Sequence, residues 1–284
     1  MEKILLAMDA ANLNMKAIDF GCYIARLTRS RLTGVFLEGL VSGLNRKSGG
    51  DGTDPFGAGA WDSDADNPEV VPATVPSALA EANIRRFREA CVCRDTLSLI
   101  HRDRGIPVSE ILAETRFADL LVIDPETSFS RADHGVPGRF VKDVLEASEC
   151  PVLIAPYSFD AIEEIVFTYN GTASAVYAIK QFTALFPELG NKKVFVVSVR
   201  QDETPAIEDQ YKMKEWLKAH YDNLEFVILK GDTSDELFGY LLEKKGSIVV
   251  MGAYGRSMLS RFFKPSQARL IVKTINLPIF IAHQ

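Results

Sequence analysis

Short apolar runs alternate with segments of helical period along the whole chain. In the first half, each of four strand-like runs is followed by a segment whose apolar residues recur every three or four positions, and a fifth run closes the series. The runs lie at 3–9, 31–38, 96–102, 119–124 and 151–156, and the helical segments at 12–29, 77–95, 107–117 and 137–148. This alternation predicts a parallel sheet with helices on both faces.

The second half repeats the same order. Its strand-like runs lie at 164–169, 192–200, 224–230, 247–252 and 278–283, and its helical segments at 172–187, 206–220, 233–245 and 266–275. We therefore predict an α/β protein with two tandem open parallel five-stranded sheets flanked by helices, a Rossmann-like arrangement. The predicted first domain spans 1–158 and the second spans 159–284, and they are called the first and second copy below.

The two copies differ by one long insertion. Asp9 matches Asn170 at an offset of 161 residues, whereas Pro151 matches Pro278 at an offset of 127, so the first copy holds 34 extra residues. These fall in 39–76, which is rich in Gly, Asp and Pro and has no apolar period, and which we predict to be a mobile loop. Two interpretations stay open, a tolerated surface insertion or a lid or partner-binding loop.

Composition narrows the function classes. The chain has 284 residues, 47% of them hydrophobic and 25% charged, which excludes wholesale disorder, and its net charge of −6 provides no general attraction for nucleic acid or an anionic membrane. No apolar run approaches about 18 residues, so we expect neither a signal peptide nor a membrane span. The four cysteines include no CxxC pair and are too few for a disulfide framework, so we expect a reducing cytoplasm. Cys91 and Cys93 would face different ways on a helix, so we expect no metal site there.

A turn with glycines follows the fourth strand of the second copy. Gly252 and Gly255 come directly after the apolar run, and Pro265 and Ser266 then open the last helical segment, with Arg256 beside the turn. Glycines let a backbone approach a ligand closely, and the start of a helix favours an anion. The stretch therefore predicts a site for phosphate.

The strand and helix order, together with this turn, resembles the universal stress protein (UspA-like) family in its tandem form, across nearly all of the chain. Nucleotide-binding members of that family carry G-x2-G-x9-G-(S/T) after the fourth strand and an Asp at the end of the first strand. Gly252, Gly255 and Ser266 match this pattern, whereas Pro265 replaces the third glycine and Asn170 occupies the Asp position. The first copy keeps Asp9 but not the glycines.

The resemblance implies a regulatory protein of the stress response that binds ATP or AMP, most completely in the second copy, and that acts through an unknown protein partner. It implies no catalytic residues and at most weak ATP hydrolysis; the chain also has no G-x4-GK-(S/T) loop and no G-x-S-x-G motif. A scaffold that binds no nucleotide is the alternative. The nucleotide contacts implied by the resemblance fall on Thr168, Tyr169, Asn170, Val197, Gly252, Gly255, Arg256 and Ser266.

Members of the resembled family pair through their last strands, which are sheet edges. A tandem chain can make that pairing within itself, because an exposed edge strand favours pairing with another strand. We therefore predict that 151–156 and 278–283 run antiparallel beside each other and form an internal pseudo-dimer. Whether two such chains associate as a homodimer stays open.

Overall fold

The computed structural model describes residues 1–39, 77–129, 136–200, 210–252 and 276–282, and the predicted helix at 266–275 and nearly all of the 39–76 insertion lie outside them. The first copy contains five strands and four helices in alternation within this part of the chain. They are β1 (Lys3–Asp9), α1 (Met15–Leu27), β2 (Arg31–Gly39), α2 (Ser77–Cys93), β3 (Ser98–Gly105), α3 (Pro107–Thr115), β4 (Leu120–Ile123), α4 (Arg139–Ala147) and β5 (Val152–Ile154).

The described part of the second copy has the same order, with a short 3₁₀ helix after its first α-helix. Its elements are β6 (Glu164–Thr168), α5 (Ala173–Leu185), the 3₁₀ helix (Pro187–Leu189), β7 (Lys193–Arg200), α6 (Gln210–Lys218), β8 (Asn223–Lys230), α7 (Thr233–Leu242), β9 (Ser247–Gly252) and β10 (Ile279–Ala282). None of the helices in the described residues combines the length and the apolar character that a bilayer crossing requires.

All ten strands join one sheet, in the order β3-β2-β1-β4-β5-β10-β9-β6-β7-β8. Every neighbouring pair is parallel except the pair at the centre, where β5 and β10 run antiparallel, with Ile154 opposite Ile279 and Val152 opposite Ile281. This register confirms the predicted fold and the predicted pairing of the two terminal strands. The domain limits at 158 and 159 stay predictions.

The core consists of two apolar layers, one on each face of the sheet. One layer contains buried residues of α1, α2, α5 and α6, and the other contains buried residues of α3, α4 and α7. Each layer includes residues of both copies. Within the second copy, Phe280 of β10 packs edge-on against Phe182 of α5 with ring centroids 5.3 Å apart. Near-continuous apolar strands are what a parallel sheet covered on both faces requires.

The link between the copies is tied to both of them. The Phe159 ring packs edge-on against Phe20 and Tyr23 of α1, at centroid distances of 4.9 and 4.5 Å. Just before β10, Asn276 accepts a hydrogen bond from the Ser158 amide at 2.9 Å and donates one to the Ser158 hydroxyl at 2.7 Å. The connection therefore adds contacts to those of the central strand pair.

Candidate functional site

The carboxyl edge of the sheet has two positions at which the strand order reverses. In the first copy the chain leaves β1 towards β2 and β3 on one side and returns to β4 on the other, and in the second copy β6 and β9 have the same relation. In open α/β folds, ligands bind in the crevice outside the carboxyl ends of the strands at such a reversal. The residues that follow β1, β4, β6 and β9 are therefore the candidates.

A cavity of about 420 Å³ opens at the reversal in the first copy. The end of β1, the residues around the start of α1, and Asp124 and 126–128 after β4 line it. Asn14 caps α1 by accepting a hydrogen bond from the Lys16 amide at 3.0 Å, and its side-chain amide donates to the Asp124 carboxylate. The helix cap thus joins the two sides of the cavity.

Two aspartates provide acidic hydrogen-bond acceptors in this cavity. Asp9 accepts a hydrogen bond from the Ala11 amide at 2.8 Å, and Asp124 accepts one from the Glu126 amide at 3.0 Å. Burial raises the pKa of both carboxyl groups above their ordinary value of 3.8. Carboxylates accept hydrogen bonds from hydroxyl and amino groups but repel phosphate, and Lys16 is the one basic residue among the described residues that line the cavity.

At the corresponding reversal in the second copy, three of the predicted residues turn their side chains into the core. Thr168 is 7% exposed and donates a hydrogen bond to the Val250 carbonyl at 3.1 Å, while Tyr169 and Val197 are 3% and 2% exposed. The Tyr169 amide donates to the Val197 carbonyl at 2.8 Å. A ligand at this edge would therefore meet mainly the backbone of these residues.

Asn170 is exposed at the same edge and closes a tight turn. Its side-chain oxygen accepts hydrogen bonds from the amide and the hydroxyl of Thr172, at 3.1 and 2.7 Å, and Thr172 in turn caps α5. Asp9 forms the same kind of turn with the amide two residues further on, at Ala11. The shared geometry supports matching Asp9 with Asn170, with a neutral amide in the second copy where the first has a carboxylate.

Gly252 ends β9 directly against the first turn of α5. A Cβ atom added there would lie 2.5 Å from the carbonyl carbon of Ser174 and 2.7 Å from the backbone nitrogen of Ala175. The sequence suggested a glycine that leaves room for a ligand, and the structure adds a second reason, the close approach of a helix. Within the described residues, the buried hydroxyl of Ser174 has no hydrogen-bond partner, so this turn retains an unused polar group.

The structure thus brings part of the predicted site together. The described members at the carboxyl edge of the second copy are Thr168, Tyr169, Asn170, Val197 and Gly252. The predicted phosphate contacts at Gly255, Arg256 and Ser266 lie outside the described residues, as does Pro265.

Sequence reasoning missed Asn14 and Asp124 in the first copy. Both carry a local signal, since an Asn just before a helical segment is a typical cap and Asp124 ends an apolar strand. What the sequence did not show was that β4 lies beside β1, with Leu120 opposite Ile4, and so places Asp124 near Asn14.

Other polar clusters lie away from the two reversals. His101 contacts Glu114 at 2.7 Å, but β3, which carries His101, is the outermost strand of the first copy and is separated from β1 by β2. Among the residues that the structure describes, no group of three or more His, Cys, Asp or Glu side chains could hold a metal ion.

Comparisons with known proteins agree with this architecture. The universal stress protein Slr1230 of Synechocystis sp. is 22% identical over 163 residues, a match that covers 57% of this chain and 56% of that protein, so the chain matches only about half of its relative's length. The crystal structure of a universal stress protein from Archaeoglobus fulgidus superposes with a TM-score of 0.68 at 14% identity, covering 99% of this chain and 98% of that one. No protein-family model matches the chain.

A further solved structure, a universal stress protein in complex with cAMP, is 18% identical and covers 44% of this chain and 98% of its own, with a TM-score of 0.35. That ligand is a property of that protein. The strand order defines a tandem Rossmann-like α/β protein, and its two strand reversals are candidate ligand sites. The Synechocystis relative supports the UspA-like family that the resemblance in the sequence predicted, and the A. fulgidus structure shows that this chain has the same fold.

Proposed function

We propose that this chain is a regulatory protein of the universal stress protein type, which binds ATP or AMP at the strand reversal of its second copy. In this proposal the nucleotide is a signal and not a substrate, and its binding changes how the chain contacts a protein partner in the stress response. The observation that carries the proposal is the meeting of Asn170, Gly252 and the first turn of α5 at one edge of the sheet.

The residues present at that edge fit a nucleotide. The absent side chain of Gly252 lets the first turn of α5 approach the end of β9, and among the described residues the buried hydroxyl of Ser174 has no hydrogen-bond partner. The N-terminus of α5, a helix of 13 residues, lies beside them, and the positive end of a helix stabilises a nearby anion. Asn170 adds no negative charge that would oppose phosphate.

The first copy fits a phosphate less well. Asp9, Asp124 and Glu126 line its cavity, and the position equivalent to Gly252 is Pro125, which has no amide hydrogen to donate. The charges at the two strand reversals thus favour the second copy for the phosphates, which agrees with the position of the glycine motif in the sequence.

Titration of the purified chain with a fluorescent ATP analogue tests the proposal, with unlabelled ATP, AMP and cAMP as competitors. Arg256→Ala should weaken ATP binding about 10- to 150-fold, since a hydrogen bond to a charged group contributes about 1.5–3 kcal/mol. Lys16→Ala removes a cation from the first-copy cavity and is the matched control, with unchanged affinity expected.

The variants separate the outcomes of this titration. Loss of binding in Lys16→Ala but not in Arg256→Ala would move the nucleotide to the first copy and contradict the proposed site. An absence of saturable binding at millimolar nucleotide would remove the nucleotide altogether and favour the scaffold that binds none.

A second assay addresses catalysis. We expect no sustained phosphate release from ATP that co-purifies with the chain on gel filtration. The residues proposed to contact the nucleotide are binding groups, and none of them is placed as a nucleophile or a general base for hydrolysis. Release that is proportional to the concentration of pure chain would instead make the chain an ATPase.

A further inference from the structure

Two of the four cysteines meet inside the first copy. Cys22 of α1 and Cys91 of α2 are each 0% exposed, and their sulfur atoms lie 3.8 Å apart. They are 69 positions apart in the chain, so only the packing of α1 on α2 brings them together. Cys93 is exposed while Cys91 is buried, as expected for residues two apart on a helix, which face different ways.

The contact makes the two thiols unequal. The hydrogen bond with the Cys91 thiol lowers the pKa of Cys22, against the opposing effect of burial and with a smaller contribution from Thr96, whereas the same bond and burial raise the pKa of Cys91. A lowered pKa enlarges the ionised fraction of a thiol, and the thiolate is the form that reacts with oxidants. Cys22 therefore has the character of an attacking sulfur and Cys91 that of a resolving one.

We propose that Cys22 and Cys91 form a redox-active dithiol, which hydroperoxides oxidise to a disulfide between α1 and α2. The Cys22 thiolate attacks one peroxide oxygen, the O–O bond breaks, and Cys22 becomes a sulfenic acid as hydroxide leaves. The hydroxide takes the proton of Cys91, whose sulfur then attacks the Cys22 sulfur and breaks its S–O bond. The second hydroxide leaves in this step and takes up the proton that Cys22 released on ionisation. Overall, two thiols lose two electrons and two protons, and hydrogen peroxide becomes two molecules of water.

The structure places this bond within reach of small movements. A disulfide has a sulfur–sulfur distance of about 2.05 Å, so the two atoms must approach by rotation of their side chains and a small shift of the helices. Both helices also support the loop beside the first-copy cavity. Asn14 at the start of α1 contacts Asp124, and Asn83 of α2 donates a hydrogen bond to the Ala10 carbonyl at 2.9 Å. A disulfide would fix the distance between α1 and α2, the helices that carry Asn14 and Asn83 at this loop.

The other two cysteines are internal controls. Cys150 is 6% exposed, and burial raises its pKa to about 12, so it should stay a thiol. Cys93 is exposed on α2 and reports how much oxidant the protein has met.

The experiment treats the folded full-length chain with hydrogen peroxide, blocks free thiols, and maps the peptides by mass spectrometry. We expect a peptide pair joined through Cys22 and Cys91, two hydrogen atoms lighter than its parts, that dithiothreitol separates again. Cys22→Ala should abolish the joined pair and Cys93→Ala should retain it. Mapping of the unchanged chain decides the question even if Cys22→Ala fails to fold.

Two results would overturn the proposal. In the first, Cys22 and Cys91 both remain free thiols after Cys93 has been fully oxidised. In the second, the joined pair forms only in denaturant, which would show that the native packing holds the two sulfurs apart. Either result would leave them as ordinary core residues.

Discussion

Replacing Gly252 by alanine tests how closely α5 packs on the end of β9. The added methyl group would lie 2.5 and 2.6 Å from the carbonyl carbon and oxygen of Ser174, distances that real Cβ atoms do not show. The neighbouring atoms belong to helix backbone, so they cannot move aside as the end of a flexible side chain would. Either the helix shifts on the sheet or the strand end retreats, and both lose packing between α5 and β9.

The magnitude follows from two opposing effects. Overpacking a filled site costs about 1–3 kcal/mol, whereas exchanging glycine for alanine restricts the unfolded chain and returns about 0.4–1 kcal/mol. We therefore expect Gly252→Ala to lower the free energy of unfolding by about 1–2 kcal/mol. Gly239, in the middle of α7, has no atom within 4 Å of its added Cβ, so Gly239→Ala should raise the same quantity by about 0.5–1 kcal/mol.

Urea unfolding followed by circular dichroism compares the two variants with the unchanged chain under identical conditions. The same chemical substitution should thus give opposite signs at the two positions. If Gly252→Ala were as stable as Gly239→Ala, the close approach of α5 to β9 would be wrong, and with it the reason given for the glycine at this edge.

Two further predictions concern the core and the first-copy cavity. Phe182→Ala should lower the free energy of unfolding by about 3–5 kcal/mol, since Phe182 is fully buried and packs on Phe280 of the central strand pair. Urea unfolding measures this loss, and a value below about 1 kcal/mol would contradict the prediction. Asp9→Asn should stabilise the fold at neutral pH, because burial raises the pKa of Asp9 in the folded state, so its ionisation opposes folding as pH rises through that pKa. The gain should shrink in acid below the ordinary value of 3.8, and a gain unchanged across a series of melts from acid to neutral pH would refute this.

Local patterns predicted the elements closely. The run at 3–9 is β1, and the helical segment at 137–148 contains α4 at Arg139–Ala147. The helix predicted at 12–29 begins later, at Met15, because Asn14 caps it and the preceding residues form the turn after β1. Periodicity shows which residues face the core, and it depends only on residues a few positions apart. The sequence was therefore sufficient to predict the helices and strands.

The sites were predicted only in part, because they depend on contacts between distant segments. A motif found Gly252 and Asn170, but no local pattern showed that α5 packs on the end of β9 or that Asp124 lies beside Asn14. The contact of Cys22 with Cys91 likewise depends on how two helices pack on one face of the sheet. Such pairings become visible only when the strand order is known.

The central strand pair also limits how two chains can associate. In separate sheets, β5 and β10 would be edge strands with apolar residues such as Leu153 and Phe280, and their pairing within the chain leaves both 0% exposed. The outer strands are different: β3 carries Arg102, which pairs with Glu38, and Glu225 of β8 pairs with a lysine of β7 at 3.0 Å. Charged side chains on edge strands oppose further pairing of sheets. Because β5 and β10 are already paired within one chain, any association of two chains must use a surface other than these two strands.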